Sequence, residues 1–346
     1  MTDVKVLNPA SGVGRLGTAA AWISAAACLP YLFLKLVWTL DLPVGVTDRS
    51  QLHSSEWVTG NAVMAVVQLV AVVLVLALVR PWSRRVPTWL LLFPVWVGTG
   101  LLFQVVVGSA ILLGLSSTAS QESGTDTGGI ALWVYVVIYA AFAVQGVALA
   151  IAFGCHVRAR WGRMLGERTC DALGARPAGS WLPSHFAELA EIVALMALLV
   201  GAVCTYWAAG GSIGLSDARP HDSFAMQASR AVGALVAAAG LLGLAGRWGR
   251  ERRFWLPTAL IWVGSGALIA FDVLTVVLNR LLMFGTTLPE ADWAPIDTVL
   301  VFKGVIGVLA AVLGVLAVTA AKNYRESPVE DPAERHMSGA TSSPLR

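Results

Sequence analysis

Four ionisable residues, Lys35, Arg230, Asp272 and Lys303, lie inside apolar runs of the sequence. Asp272 is the most informative. It sits in IWVGSGALIAFDVLTVVLNR (261–280), about two turns from the end of a stretch long enough to cross a bilayer. A charge at the centre of a span costs roughly 2.5–3.5 kcal/mol on insertion scales, so an ionisable residue there is paired, solvated or functional. Helical spacing puts Ser265, Ile269, Val276 and Asn279 on the face of Asp272, a polar stripe that should face a helix bundle and not lipid. A protonated carboxyl in a dry aromatic cavity can start a cationic cyclisation by protonating an alkene or epoxide. An ionised one can hold a cation or couple to proton movement.

The other polar residues fall at similar levels. Lys35, Arg230 and Lys303 lie toward the same end of their runs as Asp272, with Asn61, Gln104 and Gln227 nearby in depth. Tyr31, Lys35 and Trp38 share one helical face, and Tyr135 and Tyr139 are an i, i+4 pair. The pattern predicts an aromatic-lined cavity opening on that side. Its candidate substrate-binding residues are Lys35, Trp38, Asn61, Gln104, Trp133, Tyr135, Tyr139, Tyr206, Gln227, Arg230 and Lys303. Asp272 is the candidate acid. Cations in contact with it would hold it ionised, in which case Asp41, Glu56 or Asp297 at the cavity mouth become the better acids. The alternative is structural: Asp272 pairs with Lys303, Lys35 or Arg230 to hold helices together, while the long cations reach the interface.

The elements that position these groups are transmembrane helices. The chain has 346 residues, 57% hydrophobic and 13% charged, outside the balance of a soluble domain. Apolar runs at 16–40, 57–79, 88–115, 129–154, 189–211, 224–246, 254–279 and 298–321 predict an all-α polytopic fold of eight spans. The first run is too long for a signal-peptide core and reads as a retained span. Arg80, Arg84 and Arg85, then Arg158 to Arg168, then Arg247 to Arg253, then Lys322 and Arg325 follow alternate spans, while the intervening loops are acidic. By the positive-inside rule both termini are cytoplasmic, in a multi-pass protein of the cell membrane.

The halves repeat. Trp38, Gly45 and Asp48 recur 169 residues later as Trp207, Gly214 and Asp217, and WVGTG (96–100) recurs 166 residues later as WVGSG (262–266). Trp89 matches Trp255, and Arg80 matches Arg247. The expected organisation is a leader at 1–15, a four-helix unit at 16–154, a linker at 155–187, a second unit at 188–321 and a disordered tail at 322–346. Units of even span number share one orientation, so the repeats are parallel and can enclose a site between them. The ionisable residues break the repeat: Asp272 aligns with Val106, Lys35 with Cys204 and Arg230 with Val63.

Several chemistries find no support. The five histidines show no HExxH or triad spacing, the four cysteines no ligand spacing, and no nucleotide-binding signature is present, so no metal and no cofactor is expected. The arginine-rich linker is explained by anionic headgroups without a nucleic-acid partner. The expected partners are membrane lipids and a lipophilic small-molecule substrate; the sequence leaves the oligomeric state open.

WTLDLPVG (38–45) followed by LVRPWSRRVPTWL (78–90) resembles a large group of actinobacterial multi-span proteins, among them the membrane-bound terpene cyclases of bacterial indole-sesquiterpene pathways of the drimentine and xiamycin type. The resemblance implies acid-initiated cyclisation of a prenyl chain and carries over no catalytic residue. The aromatic inventory suits such a reaction, since Trp38, Trp96, Trp133, Trp207, Trp262 and Phe271 offer faces to a migrating cation. Two other classes compete: a small-molecule or proton-coupled transporter, and a non-catalytic membrane subunit.

Overall fold

The computed structural model describes residues 14–49, 54–80, 87–116, 129–174, 181–213, 224–282 and 294–326. The side chains at 56, 88, 112–116, 181–184, 271–282, 294–300 and 323–326 lie outside that description. Among the described residues the chain is helical, and its extended pairings are two isolated bridges. Seven helical segments are long and apolar enough to cross a bilayer: Arg15–Thr39, Trp57–Ala77, Trp89–Ile111, Leu132–Leu165, His185–Ala208, Phe224–Leu244 and Val301–Lys322. The protein is thus an all-α, multi-pass membrane protein. An eighth apolar helix, Trp255–Leu282, has its side chains described only as far as Ala270.

The first span is two helices, α1 (Arg15–Ala27) and α2 (Leu29–Thr39), where the sequence predicts one run. Pro30, in the first turn of α2, has no N–H to donate backward, and Cys28 closes α1 with a tight turn onto the Ala25 carbonyl at 3.2 Å. Then come α3 (Ser55–Ala77), whose first turn is capped by the Ser54 hydroxyl accepting from Trp57 N at 3.1 Å, α4 (Thr88–Ser116) and α5 (Leu132–Leu165). A short α6 (Thr169–Gly174) precedes α7 (Trp181–Ala208), α8 (Phe224–Leu244), α9 (Trp255–Leu282) and α10 (Ala294–Glu326).

The segment predicted as a linker is partly built into the fold. The helix α5 continues to Leu165, and the turn after it pairs with the α8–α9 loop. Arg168 bridges Arg253, Thr169 N donates to the Arg252 carbonyl at 2.9 Å, and Phe254 N donates to the Glu167 carbonyl at 2.8 Å. This joins the two halves at their arginine-rich end. The leader 1–13, residues 175–180 and the tail 327–346 lie outside the described residues.

Close helix packing follows the small residues. A Cβ on Gly264 of α9 would run into the backbone of Ala237 on α8, and one on Gly240 would come within 2.7 Å of Ile261 N. Gly100 of α4 lies against the peptide of Gly266 on α9. Lipid tails give helices no hydrophobic reason to associate, so backbone contact through small residues supplies the packing instead. Outside this core Val66, Leu69, Val70, Leu195, Leu199, Val312 and Val315 are exposed, as a lipid-facing surface requires.

At the opposite end the turns after α2 and α7 share one device. Trp38 Nε1 donates to the Val44 carbonyl at 2.9 Å, and its sequence match Trp207 donates to the Ile213 carbonyl at 3.0 Å. Each indole bonds the carbonyl six residues on. Asp41, at φ 59, is the non-glycine residue of the described chain with positive φ, and it closes α2 with its N–H on the Trp38 carbonyl at 3.1 Å.

Candidate functional site

Among the described residues the polar side chains inside the membrane fall into separate groups. The first is built on α2 and α3. Lys35 Nζ donates to Asn61 Oδ1 at 2.8 Å and stands 5.1 and 4.8 Å from the ring centroids of Tyr31 and Trp38. Asn61 is buried and donates from Nδ2 to the Trp57 carbonyl at 2.8 Å, while the Trp38 and Trp57 rings meet at 5.5 Å. The face shared by Tyr31, Lys35 and Trp38 is therefore an aromatic box around an ammonium, with an amide oxygen as its acceptor. No carboxylate among the described residues pairs with Lys35. The side chain of Glu56, one residue before Trp57, lies outside the described residues.

The second set of buried polar residues lies on α4, α8 and α10, the helices packed against α9. Lys303 is 2% exposed, and Gln104 and Gln227 are each 3% exposed. Lys303 therefore does not reach the interface. Gln104 Nε2 donates to the Ala267 carbonyl of α9 at 3.0 Å, and its Oε1 is buried with no partner among the described residues. The helices α9 and α10 run antiparallel, Gly314 lying against Ile261 and Gly307 against Leu268 and Ile269. One turn beyond that last contact, Asp272 on α9 and Lys303 on α10 stand level on adjacent helices. The side chain of Asp272 lies outside the described residues, as does Asp297. Arg230 is half-buried on α8, three residues from Gln227 and from Gly233, against which Gln104 packs.

The remaining candidates stand apart. Tyr135 and Tyr139 stack with centroids 6.3 Å apart, but Tyr139 is 40% exposed and Trp133 51%. Trp133 and Val134 cover Gly45 in the turn after α2, whose φ of 72° and lack of a Cβ the close approach requires. Tyr206 is 41% exposed; its ring covers Gly211 and its hydroxyl accepts from Ile213 N at 3.4 Å. Trp133 and Tyr206 thus cover turn glycines, and they and Tyr139 are exposed at the surface of the bundle, while Tyr135 is half-buried. Among the described side chains these aromatics therefore stand apart from Lys35 and Gln104, while the side chains of Asp272 and Asp297 lie outside the described residues.

A large cavity lies at the arginine-rich end, between α4, α5, α9 and α10. It is an open groove of about 1660 Å³. Its walls include sequence-matched pairs from the two halves: Trp89 and Trp255, Trp96 and Trp262, Thr99 and Ser265. The central four exchange reciprocal bonds, Trp96 Nε1 donating to Ser265 Oγ and Trp262 Nε1 to Thr99 Oγ1, each at 3.0 Å. Phe153 stacks on Trp262 at 4.8 Å. The described lining contains no carboxylate; its charges are Arg158, Arg163 and Arg253. Of the residues singled out in the sequence, Trp96, Trp262 and Ser265 line it, whereas none of the candidate substrate-binding residues around Lys35 and Gln104 does.

Beyond this groove the exposed Arg247 binds Glu191 through Nε and a second nitrogen at 2.7 and 2.8 Å. That hydrogen bonding, with the carboxylate charge, raises the Arg247 pKa above its ordinary value. A further buried group escapes the sequence reading altogether. Gln68 Nε2 donates to Gln145 Oε1 at 3.3 Å, and Ser24 Oγ to the Gln145 carbonyl at 3.2 Å, tying α3 and α1 to α5. The signal was an amide in the middle of each of two apolar runs, which a selection of amides at the depth of Lys35 and Asp272 passes over.

Comparison with protein-family models, curated proteins and solved structures gives no match for the chain. The site alone carries the functional reading.

Proposed function

We propose that the protein is a membrane-bound terpene cyclase that folds the prenyl chain of a meroterpenoid, such as a farnesylated indole, and starts its cyclisation by proton transfer from Asp272. The supporting observation is that buried Gln104 bonds the Ala267 carbonyl of α9 and that buried Lys303 stands on the adjacent α10 at the level of Asp272. Buried polar groups are costly in a bundle that glycine and alanine pack well elsewhere, so their presence on the helices against α9 favours a working site. In this reading Asp272 donates the proton, its ionised form is stabilised by Lys303 at the same level, and Gln104 orients the functional end of the substrate. A Lys303 charge in contact would favour carboxylate over acid, so the cycle needs substrate to displace that contact before transfer. Asp41 and Glu56 become second choices.

The same proposal includes an eighth span, α9, two parallel four-helix units, and both termini on the cytoplasmic, arginine-rich side. The paired groove walls and the matching indole bonds after α2 and α7 support the duplication. The arginine distribution supports the orientation.

One observation favours transport as the second reading. The groove and the polar group lie on the same helix, Ser265 and Asp272 being seven residues or roughly 10 Å apart, so a path along α9 would connect the two ends. Membranes containing the protein, incubated with farnesylated indoles with and without a terminal epoxide, distinguish the two. The cyclase gives a product of unchanged mass that empty membranes and Asp272→Asn membranes lack, with the variant expressed at the level of the parent. Absence of an isomer together with gradient-dependent flux of the same compounds into vesicles would replace it with the transporter.

A further inference from the structure

The groove between α4, α5, α9 and α10 is chemically unlike the polar group around Asp272. We propose that it is a specific seat for a two-chain anionic phospholipid, with the phosphate held by Arg158, Arg163 and Arg253 and the chains lying along the two tryptophan walls. This inference is independent of the cyclase reading.

Three observations carry it. First, the guanidinium groups of Arg158, Arg163 and Arg253 have no hydrogen-bond or ion-pair partner among the described residues, in contrast to Arg247, which is neutralised by Glu191. With no carboxylate in the described lining, the mouth of the groove is a net positive site against an apolar slot. An anionic headgroup complements it, each arginine near a membrane surface contributing attraction that falls off within a Debye length. Second, the positions of these arginines are fixed by folding. The turn carrying Arg168 to Cys170 is hydrogen-bonded to residues 250–252, which brings the end of α5 and the start of α9 together. Third, the volume of about 1660 Å³ exceeds the roughly 300–1,000 Å³ of ordinary small-molecule pockets. Two matched aromatic walls suit two chains, and Gly154, which has no described atom within 4 Å of a Cβ, leaves room beside α5.

The test uses the full-length protein purified in mild detergent and titrated with phosphatidylglycerol or phosphatidylcholine bearing the same brominated acyl chains, with tryptophan fluorescence as readout. Five of the 14 tryptophans line the groove, so saturation quenches part of the signal. The expected result is quenching by phosphatidylglycerol at concentrations at least about tenfold lower than by phosphatidylcholine. Arg158→Gln/Arg163→Gln/Arg253→Gln should abolish that preference, while the equally charge-reduced Arg15→Gln/Arg80→Gln/Lys322→Gln retains it. Gly154→Leu, which keeps every arginine, should weaken quenching by both lipids. Both groove variants are first required to elute as the parent does in size-exclusion chromatography; if the triple variant does not, Gly154→Leu and the headgroup comparison decide alone. Equal quenching by the two headgroups, equal loss in both triple variants, or indifference to Gly154→Leu would each overturn the proposal. Competition by inorganic phosphate alone would make the arginines a free-anion site, and a dimer in native mass spectrometry that Gly154→Leu dissociates would make the groove a contact between copies; either refutes the lipid.

Discussion

Gly98 and Gly264 occupy matching places in the WVGTG and WVGSG motifs, yet their surroundings differ completely. Gly264 is pressed against the backbone of Ala237 on α8, whereas Gly98 has no described atom within 4 Å of a Cβ. The difference extends to the whole of each half. In the second, α8 packs closely along α9 and along α7 through Ala194, Ala197, Gly201, Ala234 and Ala237. In the first, α3 barely touches α4, and polar side chains join the helices instead: Lys35 with Asn61, and Ser24, Gln68 and Gln145 together. The second half brings α8 against both neighbours by backbone proximity, while the first packs α1 along α5 through Ala20, Ala21 and Ala152 and adds side-chain hydrogen bonds across its helices. A similar pattern of spans can therefore pack α8 and α9 closely in one half and leave their counterparts α3 and α4 nearly apart in the other, where polar side chains add the bonds between helices.

The largest effect is expected at the glycines. Gly264→Ala should destabilise the detergent-solubilised protein by roughly 1–3 kcal/mol, the range for overpacking, because the methyl meets backbone that cannot move aside. Gly98→Ala should be neutral or stabilising by up to about 1 kcal/mol, since the methyl enters open space and alanine is the better helix former. Thermal unfolding of the pair measures the contrast, and equal shifts would erase it. Next in size is Gln145→Leu, which leaves Gln68 Nε2 without its acceptor inside the first half; about 1–2 kcal/mol should be lost, and full retention of stability would show that the amides are dispensable there.

Trp96→Phe and Trp262→Phe provide a finer comparison. Each removes one of two reciprocal indole bonds, and an interhelical bond in a membrane averages about 0.6 kcal/mol. Similar losses, below that of Gln145→Leu, are expected from unfolding curves, while a loss confined to one variant would show that the α4–α9 contact is lopsided. The smallest effect belongs to Glu191→Gln. The pair with Arg247 is exposed, so the midpoint of unfolding should move little and the remaining shift should vanish as salt is raised; a large, salt-insensitive loss would contradict a surface role.

Much of the architecture was legible without coordinates, because crossing a bilayer is a local requirement. Hydropathy over about 20 residues located the seven spanning segments and the apolar helix α9, but it gave the first span as one run where the structure divides it at Cys28 before Pro30. The matched motifs pointed to Trp96 with Trp262 and Thr99 with Ser265, whose side chains do exchange bonds. The site was less legible. Depth along a helix can be counted from sequence, but the direction in which a side chain points depends on how each helix is rotated against its neighbours. Tyr139 and Tyr206 share the depth of Lys35 and Gln104, yet they lie on outward faces.

The sequence by itself determined the all-α class, the apolar segments, the placement of arginines at alternate loops and the pairing of tryptophan and glycine motifs, since each depends on residue type and local spacing. Tertiary structure decided that Lys35 meets Asn61 and two aromatic rings, that Gln104 and Lys303 are buried on helices packed against α9, and that a large groove opens at the arginine-rich end. Those outcomes depend on helix crossings fixed by backbone contacts such as Gly100 with Gly266 and Gly264 with Ala237. A crossing joins residues distant in sequence, and a small rotation about it changes which side chains meet, information that no single helix contains.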